Sequence, residues 1–175
     1  MSIPTANALE GIAAPLAEAM GLTIWGIEIL GGNRPIFRIY VEGEKGADID
    51  ECAELSRLLG LTLDVEDIMP GAYSLEVSSP GLERLFFSPE QLKNYTGQNI
   101  ILQLSNPEDN WPGRKKFLGV LTQVQENTVF LQPNDSPLDT DMTLTTNWEN
   151  IQRARLVHDF NANKGQKKGQ PKARS

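Results

Sequence analysis

Ser78, Ser79, Glu76 and Arg84 bring two hydroxyls, a carboxylate and a guanidinium into one short stretch, YSLEVSSPGLER, at residues 73–84. Hydroxyls both donate and accept, and a guanidinium forks onto phosphate, carboxylate or backbone oxygens, so this set suits polar recognition. Nucleophilic chemistry needs a base within reach of the hydroxyl, and the chain offers little material for one. His158 is its only histidine, no G-x-S-x-G elbow surrounds the serines, and no glycine-rich phosphate loop precedes a helix. Cys52 is the single cysteine, which excludes an internal disulfide and a cysteine metal cluster. Its place on an apolar helical face points to a buried thiol. A metal site would have to be built from carboxylates alone. The expectation is a binding protein rather than an enzyme, with no catalytic residue, no metal and no cofactor.

The elements that position this stretch follow from periodicity. Tyr73, Leu75 and Val77 alternate with Ser74, Glu76 and Ser78, the pattern of a strand with one buried face. Pro80 pushes Ser79 toward extended backbone and Gly81 tolerates the positive φ of a type II turn, so a sharp corner ends the strand. Upstream, Leu9, Ile12, Leu16 and Met20 fall on one face of a helix over 7–20, with Gly21 as its stop and Pro15 predicting a kink or a late start. Trp25, Ile27 and Ile29, then Phe37, Ile39 and Val41, alternate on either side of Gly31-Gly32-Asn33-Arg34-Pro35, which reads as a hairpin. Asp48 caps a second helix with Glu51 closing the box, placing Ile49, Cys52, Leu55 and Leu59 on one side and Gly60 at a loosened end. Helix, strand, strand, helix, strand closes as a three-stranded sheet with both helices on one face.

Beyond the corner, Ser88-Pro89-Glu90-Gln91 is the start of a short helix, with Ser88 as cap, Pro89 at the first position and Gln91 closing the box. Strand-like runs follow at 100–104, 114–124, 128–132, 142–146 and 152–157, with Gly119 as a bend and 148–151 as a tight turn. Five short strands predict a small barrel. The fold class is therefore α+β: an N-terminal α/β domain over 1–85, a small β-barrel over 86–160, and a disordered basic tail over 161–175.

With 39% apolar and 22% charged residues the chain is ordinary for a soluble globular protein. No apolar run approaches the ~20 residues of a membrane span, and no basic-then-hydrophobic leader opens the sequence, so a cytoplasmic protein is expected. The net charge of −7 is unevenly spread: −9 over residues 1–87, −3 over 88–160 and +5 over 161–175. An acidic body argues against binding nucleic acid through the whole surface and favours a basic partner or a local basic patch. Candidate RNA contacts are the triplet Arg114, Lys115 and Lys116, which strand alternation cannot point all one way, and Lys164, Lys167 and Lys168 of the tail. Asp48, Asp50, Glu51 and Glu54 crowd the start of the second helix, where capping explains them and contact with a lysine-rich protein is the alternative. Arg57 is expected to pair with Asp64 or Asp67.

Four linked pieces, Asp50-Glu51-Cys52, Ser56-Arg57, Leu63-Asp64-Val65-Glu66-Asp67 and Tyr73 through Gly81, together closely resemble the signature of the ribosome maturation factor RimP family. The resemblance extends to Arg114-Lys115-Lys116-Phe117 with Gly119, Ile151-Gln152 and Ala154 to Val157, and leaves out only the tail. It implies an α/β domain followed by an SH3-like or Sm-like barrel, in an assembly factor that binds the small ribosomal subunit. It also implies partners in a basic ribosomal protein near the decoding centre and in small-subunit rRNA, and a chain that acts as a monomer away from membranes. Ser78, Ser79, Pro80, Gly81 and Arg84 then serve to hold the two domains in register or to touch the ribosome directly. Leu85-Phe86 stand where the family usually has Pro-Leu, which bears on the stiffness of the corner. The rival reading is a stand-alone RNA-binding Sm-like protein, whose stacking aromatics would be Trp111 and Phe117.

Overall fold

The computed structural model describes residues 4–32, 34–66, 71–135 and 142–158. Two compact units divide between Asn94 and Tyr95. In the first, α1 (Ala6–Ala19) begins at Thr5, whose hydroxyl accepts from the Ala8 N–H at 3.2 Å, and it runs unbroken through Pro15. Pro15 removes the donor for the Gly11 carbonyl, but both residues face solvent, so water replaces the missing bond and no late start results. The buried stripe is Leu9, Ala13 and Ala17; Ile12, Leu16 and Met20 flank it. Gly21 at φ +73° ends the helix as expected. Strands β1 (Leu22–Leu30) and β2 (Ile36–Gly43) form the expected antiparallel hairpin, with a bulge at Trp25, and β3 (Ser74–Ser78) runs parallel to β2.

Helix α2 (Ile49–Val65) carries the full Asp48/Glu51 capping box. It continues past Gly60 and takes in Leu63 and Asp64, because Leu63 extends the buried row of Cys52, Leu55 and Leu59 by one more turn. Ile49 departs from expectation: it is 87% exposed. Phe37, Ile39, Val41, Leu55 and Leu59 are wholly buried with Leu9 in one core, each side chain contributing about 1.5–3 kcal/mol by burial. A two-residue strand, β4 (Leu85–Phe86), and α3 (Pro89–Lys93) complete the unit. Ser88 caps α3 as expected, but the Gln91 carbonyl oxygen accepts from the Phe87 N–H at 2.8 Å rather than from Ser88, while its amide donates to Trp25 O at 2.6 Å.

The second unit is a sheet of antiparallel strands, β5 (Asn99–Leu104), β6 (Lys116–Gln125), β7 (Thr128–Pro133), β8 (Leu144–Asn147) and β9 (Ile151–Leu156), with a 3₁₀ turn at Trp148–Asn150. Their order is β9-β5-β6-β7-β8. All five strands form as expected, in a sheet whose strands β8 and β9 do not pair with each other among the described residues. Alternation buries Ile100, Leu102, Phe117, Leu121, Val129, Leu131, Leu144 and Leu156 on one face. Gly119 serves close approach: a Cβ there would lie 2.2 Å from the Gln132 carbonyl oxygen. The register shift in β6 falls later, between Leu121 and Gln123.

Candidate functional site

At the corner, Gly81 takes φ +71° as the turn requires. Ser78 and Ser79 are exposed, and neither hydroxyl has a partner among the described residues. Arg84 is separated from them in role. Its guanidinium donates to Glu42 at 2.5 Å and lies 4.9 Å from the centroid of the Trp25 ring. The Trp25 indole N–H in turn donates to Leu85 O at 2.7 Å, and its ring meets Phe86 at 6.3 Å. Phe87 packs its ring over Gly26 and against Tyr40 at 5.8 Å. The bulge at Trp25 turns this indole toward the segment that follows the corner, so Leu85-Phe86 is fastened to β1 by side chains.

The four acids at the start of α2 divide by use. Asp48 and Glu51 cap each other's backbone at 2.8 and 2.9 Å. Glu54 forms a two-point pair with Arg57 at 2.7 and 2.9 Å, which holds its carboxyl below the usual range. Arg57 thus has an intramolecular partner, but one turn back rather than at Asp64 or Asp67. Asp64 instead accepts from the Tyr73 hydroxyl at 2.8 Å; burial first, then this carboxylate, pushes the phenol up to about 12. Asp50 makes no hydrogen bond or ion pair among the described residues. The Cys52 thiol is buried, and burial, then Glu51 and Asp48, push its pKa up, which keeps it protonated and unreactive.

In the second unit the basic triplet is split, but not by alternation: β6 begins at Lys116, two residues later than expected, and Arg114 and Lys115 precede it. Arg114 bonds Asp135 at 2.9 Å and the Lys116 carbonyl at 3.1 Å, and lies over the Phe117 and Trp111 rings at 4.4 and 5.3 Å. Lys115 donates to Ser105 O at 2.7 Å. Lys116 alone stands on the solvent face of the sheet, in one row with Gln103 and Arg153. Arg155 lies two residues along β9 on the same face, and Lys116, Arg153 and Arg155 with Ile101 and Gln103 line a depression of about 260 Å³ that has no carboxylate in its lining among the described residues. Lys116 and Arg153 flank one intervening strand, about 10 Å apart. Arg153 and Arg155 were not singled out from sequence, although their alternation with buried Ala154 and Leu156 was the available signal. The proposed stacking aromatics serve the core instead: Phe117 is wholly buried and Trp111 packs edge-on against it at 5.3 Å. Lys164, Lys167 and Lys168 lie outside the described residues. No helix among the described residues is long and apolar enough to cross a membrane.

Residues 12–83 match the family model described as the RimP N-terminal domain. The chain is 46% identical over 154 residues to a protein of Nitratidesulfovibrio vulgaris (strain DP4) named ribosome maturation factor RimP, covering 87% of this chain and 90% of that one. Proteins of the same name are 40% identical in Nitratidesulfovibrio vulgaris (strain DSM 19637 / Miyazaki F), over 90% of this chain and 83% of the relative, and 39% identical in Lawsonia intracellularis (strain PHE/MN1-00), over 85% of each. With identity at this level across nearly the whole length, and with the capping box, the β3 strand and the Ser-Ser-Pro-Gly corner all in place, the chain belongs to the ribosome maturation factor RimP family.

Proposed function

We propose that this chain is a maturation factor of the small ribosomal subunit, acting in the cytoplasm as a monomer that binds without catalysing a reaction. The maturation role is carried over from the relatives' name. The observation that carries the binding mode is the row of Lys116, Arg153 and Arg155 on one sheet face of an otherwise acidic chain. Cations on one face suit a run of rRNA phosphates, because a fixed rigid sheet presents them without the entropy cost of ordering a flexible arm. The acidic start of α2, with Asp50 uncommitted, suits a lysine-rich ribosomal protein. The exposed Ser78 and Ser79 hydroxyls are a third polar contact, and Arg84 holds the corner that presents them. The basic tail adds a salt-sensitive contact to RNA.

The test is cosedimentation of the full chain with purified small subunits across a salt series. Reversing Lys116, Arg153 and Arg155 to Glu should weaken binding and flatten the plot of log affinity against log salt by about 2–3, near 0.7–0.9 per lost phosphate contact. Asp50→Lys should weaken binding while leaving that slope unchanged. A triple variant that binds with the original slope would refute the assignment of the basic row.

A further inference from the structure

One groove in the first unit runs between the acidic start of α2 and the Ser78-Ser79 corner, and it lies beside a free strand edge. Strand β3 is that edge: it pairs with β2 and with no other described strand. Ser74 donates its N–H to Pro35 O at 2.9 Å, so Ser74, Glu76 and Ser78 turn their backbone groups toward β2. By alternation, Leu75 and Val77 turn theirs to the free side. The edge is not shielded by a charged or proline side chain within Ser74–Ser78 other than Glu76, and Arg38 draws that carboxylate across the sheet at 2.6 Å. The groove, of about 510 Å³, is walled by residues 75–79 on one side and by Cys52, Ala53 and Ser56 of α2 on the other, with Asp48 and the exposed Ile49 at its end. Asp48 and Glu76 are its charged lining residues among the described ones, both acidic, with no described Lys or Arg in the lining.

A strand edge flanked by a helix, with small side chains facing the gap, is the geometry that admits an extended peptide as an added strand. We infer that a basic segment of a partner protein docks here by strand addition, exchanging backbone hydrogen bonds with Leu75 and Val77. Its side chains alternate: those on the helix side pack on Cys52, Ala53, Ser56 and Ile49 and are apolar, and those on the opposite side meet the face where Glu28 and Glu76 flank the single cation Arg38, a net acidic row, and are cationic. The occupant is therefore an extended peptide of alternating basic and apolar residues. This rests on the reading in which the acidic start of α2 faces a basic ribosomal protein, and it adds that recognition is made through backbone as well as charge.

The probe is a fluorescent alternating Lys-Val peptide of about eight residues, enough to span β3, titrated into the full chain and followed by anisotropy. Saturable binding is expected, lost about tenfold or more when alternate peptide amides are N-methylated, since each missing backbone donor removes a hydrogen bond at the edge. Ala53→Arg, on the exposed side of α2, should weaken the peptide by a similar factor through bulk and like charge, while the circular dichroism of the chain stays unchanged. An alternating Glu-Val peptide should not bind. Unchanged affinity after N-methylation would overturn strand addition and leave the charge-based reading standing, and so would failure of the peptide to bind while Asp50→Lys still weakens subunit binding. An affinity that rises tenfold on removing residues 161–175 would assign the edge to the chain's own tail and overturn the partner assignment. If Asp50→Lys leaves subunit binding unchanged, the underlying reading fails by itself, whatever the peptide does.

Discussion

Gly26→Ala isolates the fastening of the post-corner segment to β1. A Cβ on Gly26 would fall 2.0, 2.3 and 2.4 Å from three ring atoms of Phe87. Carbon atoms settle near 3.5 Å, so the ring must retreat by about 1.5 Å. Two neighbours resist that retreat: the Tyr40 ring at 5.8 Å, and Gln91, which holds the Phe87 N–H at 2.8 Å. Overpacking of this kind costs about 1–3 kcal/mol. An opposing gain exists, because Gly26 does not have a positive φ, and Gly to Ala at a compatible position stabilises by about 0.4–1 kcal/mol through the unfolded chain. The clash outweighs that gain, so a net loss of about 1–2 kcal/mol is expected. In a Phe87→Ala background the clash is absent and the sign reverses, giving a coupling of about 2 kcal/mol between the two positions. Native-state hydrogen exchange at the buried β2 amides Phe37, Ile39 and Val41 reads the stability of this unit. Equal destabilisation by Gly26→Ala in both backgrounds, or stabilisation with Phe87 in place, would refute the packing account.

Asp48→Ala should destabilise the chain by about 1 kcal/mol in urea unfolding through loss of the α2 cap, whereas Asp48→Asn, which also caps, should cost a few tenths; equal losses would point to charge rather than the hydrogen bond. Tyr73 has a folded pKa of about 12 against an ordinary 10.0. The unfolded chain therefore loses this proton first, and the stability it contributes is complete below pH 10 and declines as pH rises toward 12. Tyr73→Phe should remove that part of the alkaline decline, and an unaltered decline in the variant would exclude it. Cys52 should react with iodoacetamide at least about tenfold more slowly in the folded chain than in urea at the same pH, since burial both shields the thiol and keeps it protonated; matched rates would show the thiol to be accessible.

Local signals carried most of the first unit. The Asp48/Glu51 box, the pairing of the 25–29 and 37–41 alternations and the strand at Tyr73–Val77 each involve residues close in sequence, and each is present in the structure. The first helix shows no late start and the second runs further than expected because Pro15 and Gly60 are weak breakers in context: one lies on a solvent-facing side and the other precedes Leu63, whose burial rewards another turn. Closure of the second unit was not legible. The 148–151 turn joins β8 to β9 as read, but whether those two strands pair is set by the curvature accumulated over the three strands that lie between them in the sheet, which no local signal carries. The basic row was hidden for a related reason. Lys116 and Arg153 are distant in sequence and become neighbours only through the registers of β6 with β5 and β5 with β9. The β3 corner identified the family, yet Arg84 is committed to Glu42 and Trp25, partners that its own segment does not reveal.

Gly119 has a consequence for how the second unit finds its pairing. Opposite Pro133, the β7 backbone leaves no room for a side-chain carbon, and the residues on either side of Gly119 are Leu118 and Val120. A slip of β6 by one position in either direction would drive one of these branched side chains into the Gln132 carbonyl, besides inverting the buried and exposed faces. The glycine therefore makes the β6–β7 register sterically selective: a slipped hairpin meets a clash at that point which the native alignment avoids.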